Sequence, residues 1–101
     1  MNVALSTLLP DQTLPAAVAA RCVSGLALDS RRVRQGDAFI AVPGESVDGR
    51  QFIDAAVQAG ASVVIAEAAH FSVSESSGAV VVGVPALHAR VGEIAAHFYG
   101  E

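Results

Sequence analysis

The chain has 101 residues, a mass of 10.2 kDa and 6 basic against 10 acidic residues, for a formal net charge of -4; that leaves room for one domain and no second lobe. Every basic residue is an arginine, and the missing lysine excludes the phosphate lysine of a nucleotide-hydrolysing loop, Schiff-base chemistry and a lysine general base within these residues. Net negative charge without interleaved basic and aromatic residues also makes a poor nucleic-acid binder.

Charged residues are 16% of the chain and mean hydropathy is +0.50, against roughly 25% charge in ordinary soluble domains. Part of the surface is therefore expected to be covered by something else, although much of the apolar content is Ala and Val, which makes no large sticky patch. The single cysteine, Cys22, forbids an internal disulfide or a Cys-rich zinc site and reads as a small buried hydrophobe. The longest stretch free of charge, between Glu75 and Arg90, is interrupted by Pro85 and two glycines and falls short of the ~18 apolar residues a membrane helix needs. No basic residue precedes Arg21, so a secretory leader's charged start is missing as well. The expected address is cytoplasmic, away from any membrane.

In chain order, Val3 to Leu9 reads as a short apolar helix stopped by Pro10, followed by a polar turn and an alanine-rich stretch after Pro15. Val23 to Leu28 is strand-like and ends at Asp29-Ser30, whose side-chain oxygens accept from backbone amides in turns. Gln35-Gly36-Asp37 is a turn, and Ala38 to Val42 a buried strand bounded by Pro43-Gly44. Asp48 with Gln51 reads as a capping-box variant opening a helix whose Phe52, Ile53, Ala56 and Val57 share one face before Gly60 stops it. Ser62 to Ala66 is a β-branched strand covered on both faces. A serine-rich loop from Glu67 to Gly78 follows, then a strand over Ala79 to Val84. The last helix opens at Pro85, carries Leu87, Val91, Ile94, Ala95 and Phe98 at helical spacing, spends about 1 kcal/mol on Gly92 and stops at Gly100. Continuous apolar strands alternating with helices predict a compact α/β domain with a mostly parallel or mixed sheet and flanking helices.

Four of the arginines, Arg31, Arg32, Arg34 and Arg50, fall between Asp29 and Arg50, so an anionic ligand is drawn to that segment, which also lies at predicted strand ends. The competing reading is a set of solvated turn residues with local caps. His70, His88 and His97 have no metal-ligand spacing, and no metal site is expected. There is no Gly-rich phosphate loop and no Gly-x-Ser-x-Gly elbow. The residues alone thus give a small module with an anion-friendly rim over 29 to 50 and no named ligand.

Leu28-Asp29-Ser30-Arg31, Gly36-Asp37-Ala38-Phe39-Ile40-Ala41-Val42, Gly44, Asp48-Gly49-Arg50 and the closing Ala95-Ala96-His97-Phe98-Tyr99-Gly100-Glu101 together resemble the N-terminal domain of the Mur ligases of peptidoglycan synthesis. The resemblance covers roughly residues 23 to 101 and is strongest to the MurE type, which adds the third amino acid to UDP-N-acetylmuramoyl-L-alanyl-D-glutamate. The MurF type, which adds D-alanyl-D-alanine, shares much of it, and a non-enzymatic α/β interaction module is the alternative from another class.

The resemblance implies one substrate-anchoring domain that holds the UDP-MurNAc end of the precursor. Leu28 and Ser30 match positions that contact uridine and pyrophosphate, and Glu45, Ser46 and Val47 match the loop closing over them. Asp29, Arg31 and Asp48 are possible supports, and Glu45, itself an acid, is expected to act through its backbone. Family catalysis uses ATP and Mg2+ to make an acyl phosphate that the incoming amine, favoured as meso-diaminopimelate, attacks. None of that machinery matches these residues, so the implied partners are the precursor and the ligase's own central and C-terminal domains.

Overall fold

The computed structural model describes residues 2–100. Its centre is a five-stranded sheet ordered β3 (Leu26–Ala27), β4 (Ala38–Ala41), β5 (Val63–Glu67), β7 (Ala79–Val84), β6 (Ser72–Ser76). The first four run parallel in space, and β6 is antiparallel to β7 at the edge. The expected α/β class with a mixed sheet is what forms. A separate two-stranded ribbon pairs β1 (Val3–Ala4) with β2 (Cys22–Val23).

β4 and β5 are apolar throughout, save Glu67 at the end of β5, because both faces are covered. Ala38, Ile40, Val63 and Ile65 face a core completed by Leu5, Leu8, Ile94 and Phe98 from α1 (Leu5–Leu8) and α4 (Val91–Tyr99). Phe39, Ala41, Val64 and Ala66 face the opposite way, against Ala56 of α3 (Ile53–Gln58). Period-two alternation within β4 and β5 thus feeds two cores at once. A fourth short helix, α2 (Ala16–Ala19), lies on the alanine-rich stretch after Pro15.

Several segments differ from the sequence-based expectation, each for a physical reason. The Val3 to Leu9 helix shrinks to Leu5–Leu8, because Val3 and Ala4 pair with Val23 and Cys22 and the Leu5 amide donates to the Arg21 carbonyl at 2.8 Å. The single strand from Val23 to Leu28 is two strands serving different sheets. Between them the Ser24 amide donates to the Gly36 carbonyl at 3.0 Å, and a Cβ on Gly25 would sit 2.7 Å from Oδ1 of Asp37. Cys22 is exposed rather than buried.

The expected loop from Glu67 to Gly78 contains β6, turned onto β7 at Ser77 and Gly78, which have φ of 51° and 88°. Its serines face solvent on an edge, which is how edge strands avoid pairing with other chains and why no apolar signal marked it. Pro85 does not open the last helix: Ala86 takes a left-handed φ of 53°, a 3-10 turn spans Leu87–Ala89, and α4 starts at Val91. Gly92 is then the second residue of α4, where a mid-helix glycine penalty does not apply.

Candidate functional site

The carboxyl ends of the adjacent parallel strands β3 and β4 carry the same device twice. Past β3, the Asp29 carboxylate accepts the Arg31 amide at 2.9 Å and the Arg31 guanidinium through Nε at 3.0 Å and Nη2 at 2.8 Å. Past β4, Asp48 accepts the Arg50 amide at 2.9 Å and the Arg50 guanidinium through Nε at 2.9 Å and Nη2 at 2.7 Å. Each Asp-x-Arg run opens a 3-10 turn, Ser30–Arg32 in one case and Gly49–Phe52 in the other. The aspartate closes an Asx turn on the backbone and simultaneously clamps its arginine. Asp48 therefore caps a 3-10 turn ahead of α3; Gln51 binds the Asp48 carbonyl through its amide at 3.0 Å, and the expected capping box does not form.

Both carboxyls are held in their charged form. The Arg31 guanidinium, then the Arg31 amide, lowers Asp29 to about 2, and the Arg50 guanidinium lowers Asp48 below its ordinary 3.8. Each arginine's charge is in turn compensated, so the rim presents fixed, paired charges to a ligand.

Between β4 and Gly49 the chain makes a tight loop. The Gly44 amide donates to the Val47 carbonyl and the Gly49 amide to the Val42 carbonyl, both at 2.9 Å, and Pro43 bridges Asp48. Gly49 is required by close approach, since a Cβ there would lie 2.9 Å from the Val42 carbonyl oxygen and 3.2 Å from its nitrogen. Glu45 and Ser46 form the exposed tip.

These pieces enclose a cavity of about 700 Å³ at the carboxyl edge of the sheet, within the size range of small-molecule sites. Its lining comes from the end of β3 and the turn after it (Leu28, Asp29, Ser30 and Arg31) and from the loop and helix that follow β4 (Val47, Gly49, Phe52 and Ala55), with the buried ring of Phe39 between them in sequence. Ligands of open α/β sheets enter at this edge. Five of the residues singled out from sequence, Leu28, Asp29, Ser30, Arg31 and Val47, thus line one cavity. Glu45 and Ser46 lie outside its lining at the loop tip, and Asp48 braces the loop from behind through Arg50.

Sequence reasoning missed Phe39, Phe52 and Ala55 as wall residues. Phe39 sits in an apolar strand and Phe52 at a helical core position, so neither has a polar signature. Phe52 sits where the 3-10 turn meets α3, with φ −109° and ψ 14°, and is 39% exposed, whereas Ala56 is buried and Ile53 and Val57 pack against the core.

Further along the same edge, Glu67 at the end of β5 accepts from the amide and Nδ1 of His88 at 2.8 and 2.6 Å, and Nη1 of Arg50 reaches the Glu67 carbonyl at 3.4 Å. These contacts lower the Glu67 carboxyl, the His88 amide first. His97 lies 3.8 Å from Glu93 on α4, far from this edge in sequence and element. Among the described residues no three His, Cys, Asp or Glu side chains gather to hold a metal.

The fold is a small α/β domain with a partly apolar cavity at the carboxyl edge of parallel strands, the edge at which ligands enter open α/β sheets. The family model described as "Mur ligase family, catalytic domain" matches residues 22–99, and the chain belongs to the Mur ligase family. It is 45% identical over 91 residues to the UDP-N-acetylmuramoyl-L-alanyl-D-glutamate--2,6-diaminopimelate ligase of Ectopseudomonas mendocina, covering 90% of this chain and 19% of that protein. A solved structure of a ligase of the same name overlays with a TM-score of 0.67 at 30% identity, over 93% of this chain and 18% of the other. The MurF ligase of Thermotoga maritima, solved in complex with ADP, gives 0.60 at 32% identity, over 77% of this chain and 17% of the other. The chain spans about a fifth of the length of the curated relatives it matches.

Proposed function

We propose that these residues are the N-terminal, substrate-anchoring domain of a MurE-type ligase and that the cavity holds the uridine diphosphate end of UDP-MurNAc-L-Ala-D-Glu. The observation that carries this reading is the convergence of Leu28 to Arg31 with Val47 and Gly49 on one cavity of about 700 Å³ at the carboxyl ends of β3 and β4. Leu28 and Val47 supply apolar surface for a base. The Ser30 hydroxyl, able to donate or accept, and the turn of Ser30–Arg32 supply polar contacts for ribose and phosphate. Glu45 and Ser46, at the tip of the flanking loop, act on a bound ligand through their backbone.

Amide-bond formation, with diaminopimelate as the favoured incoming amino acid, belongs to the rest of such a ligase. ATP and Mg2+ do not fit the residues present: the chain has no lysine, no Gly-rich phosphate loop and, among the described residues, no cluster of metal-binding side chains. No step is assigned to this chain beyond holding and orienting substrate, in the cytoplasm and with the ligase's remaining domains as partners. Among the described residues no helix is long and apolar enough to cross a membrane.

The test is an NMR titration of this chain with UDP and with UDP-MurNAc-L-Ala-D-Glu. Amide shifts concentrated at residues 28 to 31 and 44 to 48 are expected. Affinity for UDP alone should be weaker than micromolar, because the complete ligase spreads the binding energy over more contacts. Shifts confined to other regions would overturn the reading, and dimerisation through an apolar face with no response to uridine nucleotides would favour an interaction module.

A further inference from the structure

Four large apolar side chains are substantially exposed among the described residues: Leu28 at 55%, Val47 at 51%, Phe52 at 39% and Tyr99 at 63%. Three of the four, from three separate segments of the chain, meet in the same cavity. Scattered exposed hydrophobes need no explanation, but convergence on one concavity marks a surface that a ligand covers.

Phe52 is the aromatic member of this group. It lies at the junction of the 3-10 turn and α3, outside the core that Ile53 and Val57 join. Its neighbour across the turn, Ala55, is also a wall residue and carries only a methyl group, so it leaves room beside the ring. The polar side chains of the cavity lining are Asp29, Ser30 and Arg31, all from the segment after β3. Phosphate oxygens need donors, whereas a planar base needs a polarisable apolar face.

We propose that Phe52 is a specificity-determining residue of the cavity, its ring receiving the flat face of the uracil base, with Leu28 and Val47 closing around the base and the diphosphate directed toward Ser30 and Arg31. This rests on the uridine diphosphate reading above. It adds a binding residue and an orientation to it.

The experiment compares the unmodified chain with Phe52→Leu, which keeps apolar bulk without the aromatic face, and Phe52→Tyr, which keeps the face. Each is titrated with UDP and with inorganic pyrophosphate and followed by amide shifts, after an amide spectrum has verified its fold. Base stacking on an aromatic residue predicts a loss of about 5- to 150-fold in UDP affinity for full truncation of the ring. Phe52→Leu should weaken UDP several-fold within that range and leave the pyrophosphate response unchanged, while Phe52→Tyr stays within about threefold of the parent.

Unchanged UDP affinity in Phe52→Leu, or equal losses for UDP and pyrophosphate, would overturn the role of Phe52 and leave the uridine diphosphate reading standing. No response of the unmodified chain to UDP or to the full precursor would overturn both. Should Phe52→Leu fail to fold, the ring-induced shifts of Leu28 and Val47 decide: their movement with UDP but not with pyrophosphate supports the proposal, and equal movement with both refutes it.

Discussion

Asp29 and Asp48 illustrate how much one residue type at a strand end can do. A carboxylate two residues before an arginine can accept both that residue's amide and its guanidinium, and both runs here do so, with nitrogen to oxygen distances of 2.7 to 3.1 Å. The pairing sets a pH dependence. Asp29 titrates near 2 in the folded chain against an ordinary 3.8, so its contribution to stability is fully present above about pH 4 and disappears as pH falls through about 2. Carboxyl NMR should show an Asp29 midpoint near 2, moving back toward 3.8 in Arg31→Gln; an unmoved midpoint would mean that the guanidinium is not the cause. The Asp-Ser-Arg and Asp-Gly-Arg runs were legible in the sequence as turn residues near an anion-friendly rim. That the two clamps lie at one edge was not, because it depends on β3 and β4 ending side by side.

Elements built from local signals appeared where the signals were dense. β4 and β5 were readable as continuous apolar runs, and α3 from its periodicity and Gly60. Gly60 has φ of 113°, and a Cβ there would lie 2.8 Å from the Cα of Gln35, a backbone atom that cannot swing away. Gly60→Ala should therefore lower unfolding stability by roughly 1–3 kcal/mol. Urea denaturation measures this, and the amide response to UDP should persist, since Gly60 is not a residue of the site. Two elements escaped reading for different reasons. β1 exists because β2, distant in sequence, lies alongside it, and β6 is a polar edge strand whose hairpin with β7 carries no apolar alternation. A two-residue strand carries no periodicity to detect.

For the molecule as a whole, the sparse charge has a partial structural account. Most large apolar side chains go into two cores on either face of one sheet, and three of the four left exposed gather in the cavity. Tyr99, near the end of α4, is the fourth, its ring edge-on to Phe98 at 4.9 Å between centroids. The sheet is thin, so its central strand carries much of the stability. Ile65 is fully buried on β5, and Ile65→Ala should cost about 2–5 kcal/mol. In a domain of this size such a loss is a large share of the total, so a urea midpoint that barely moves would show that the core collapses around the gap.

By itself the sequence determined the α/β class, the continuous apolar runs of β4 and β5 and the family resemblance, and it pointed to the segment from 29 to 50 as the place to look for a ligand. Those follow from composition, periodicity and short motifs, which are local. Tertiary structure alone decided that Leu28 to Arg31 line one cavity with Val47, Gly49 and Phe52, and that Glu45 and Ser46 stay outside it at the loop tip. The reason is that strand order, which sets β3 beside β4, is fixed by contacts between residues far apart in the chain.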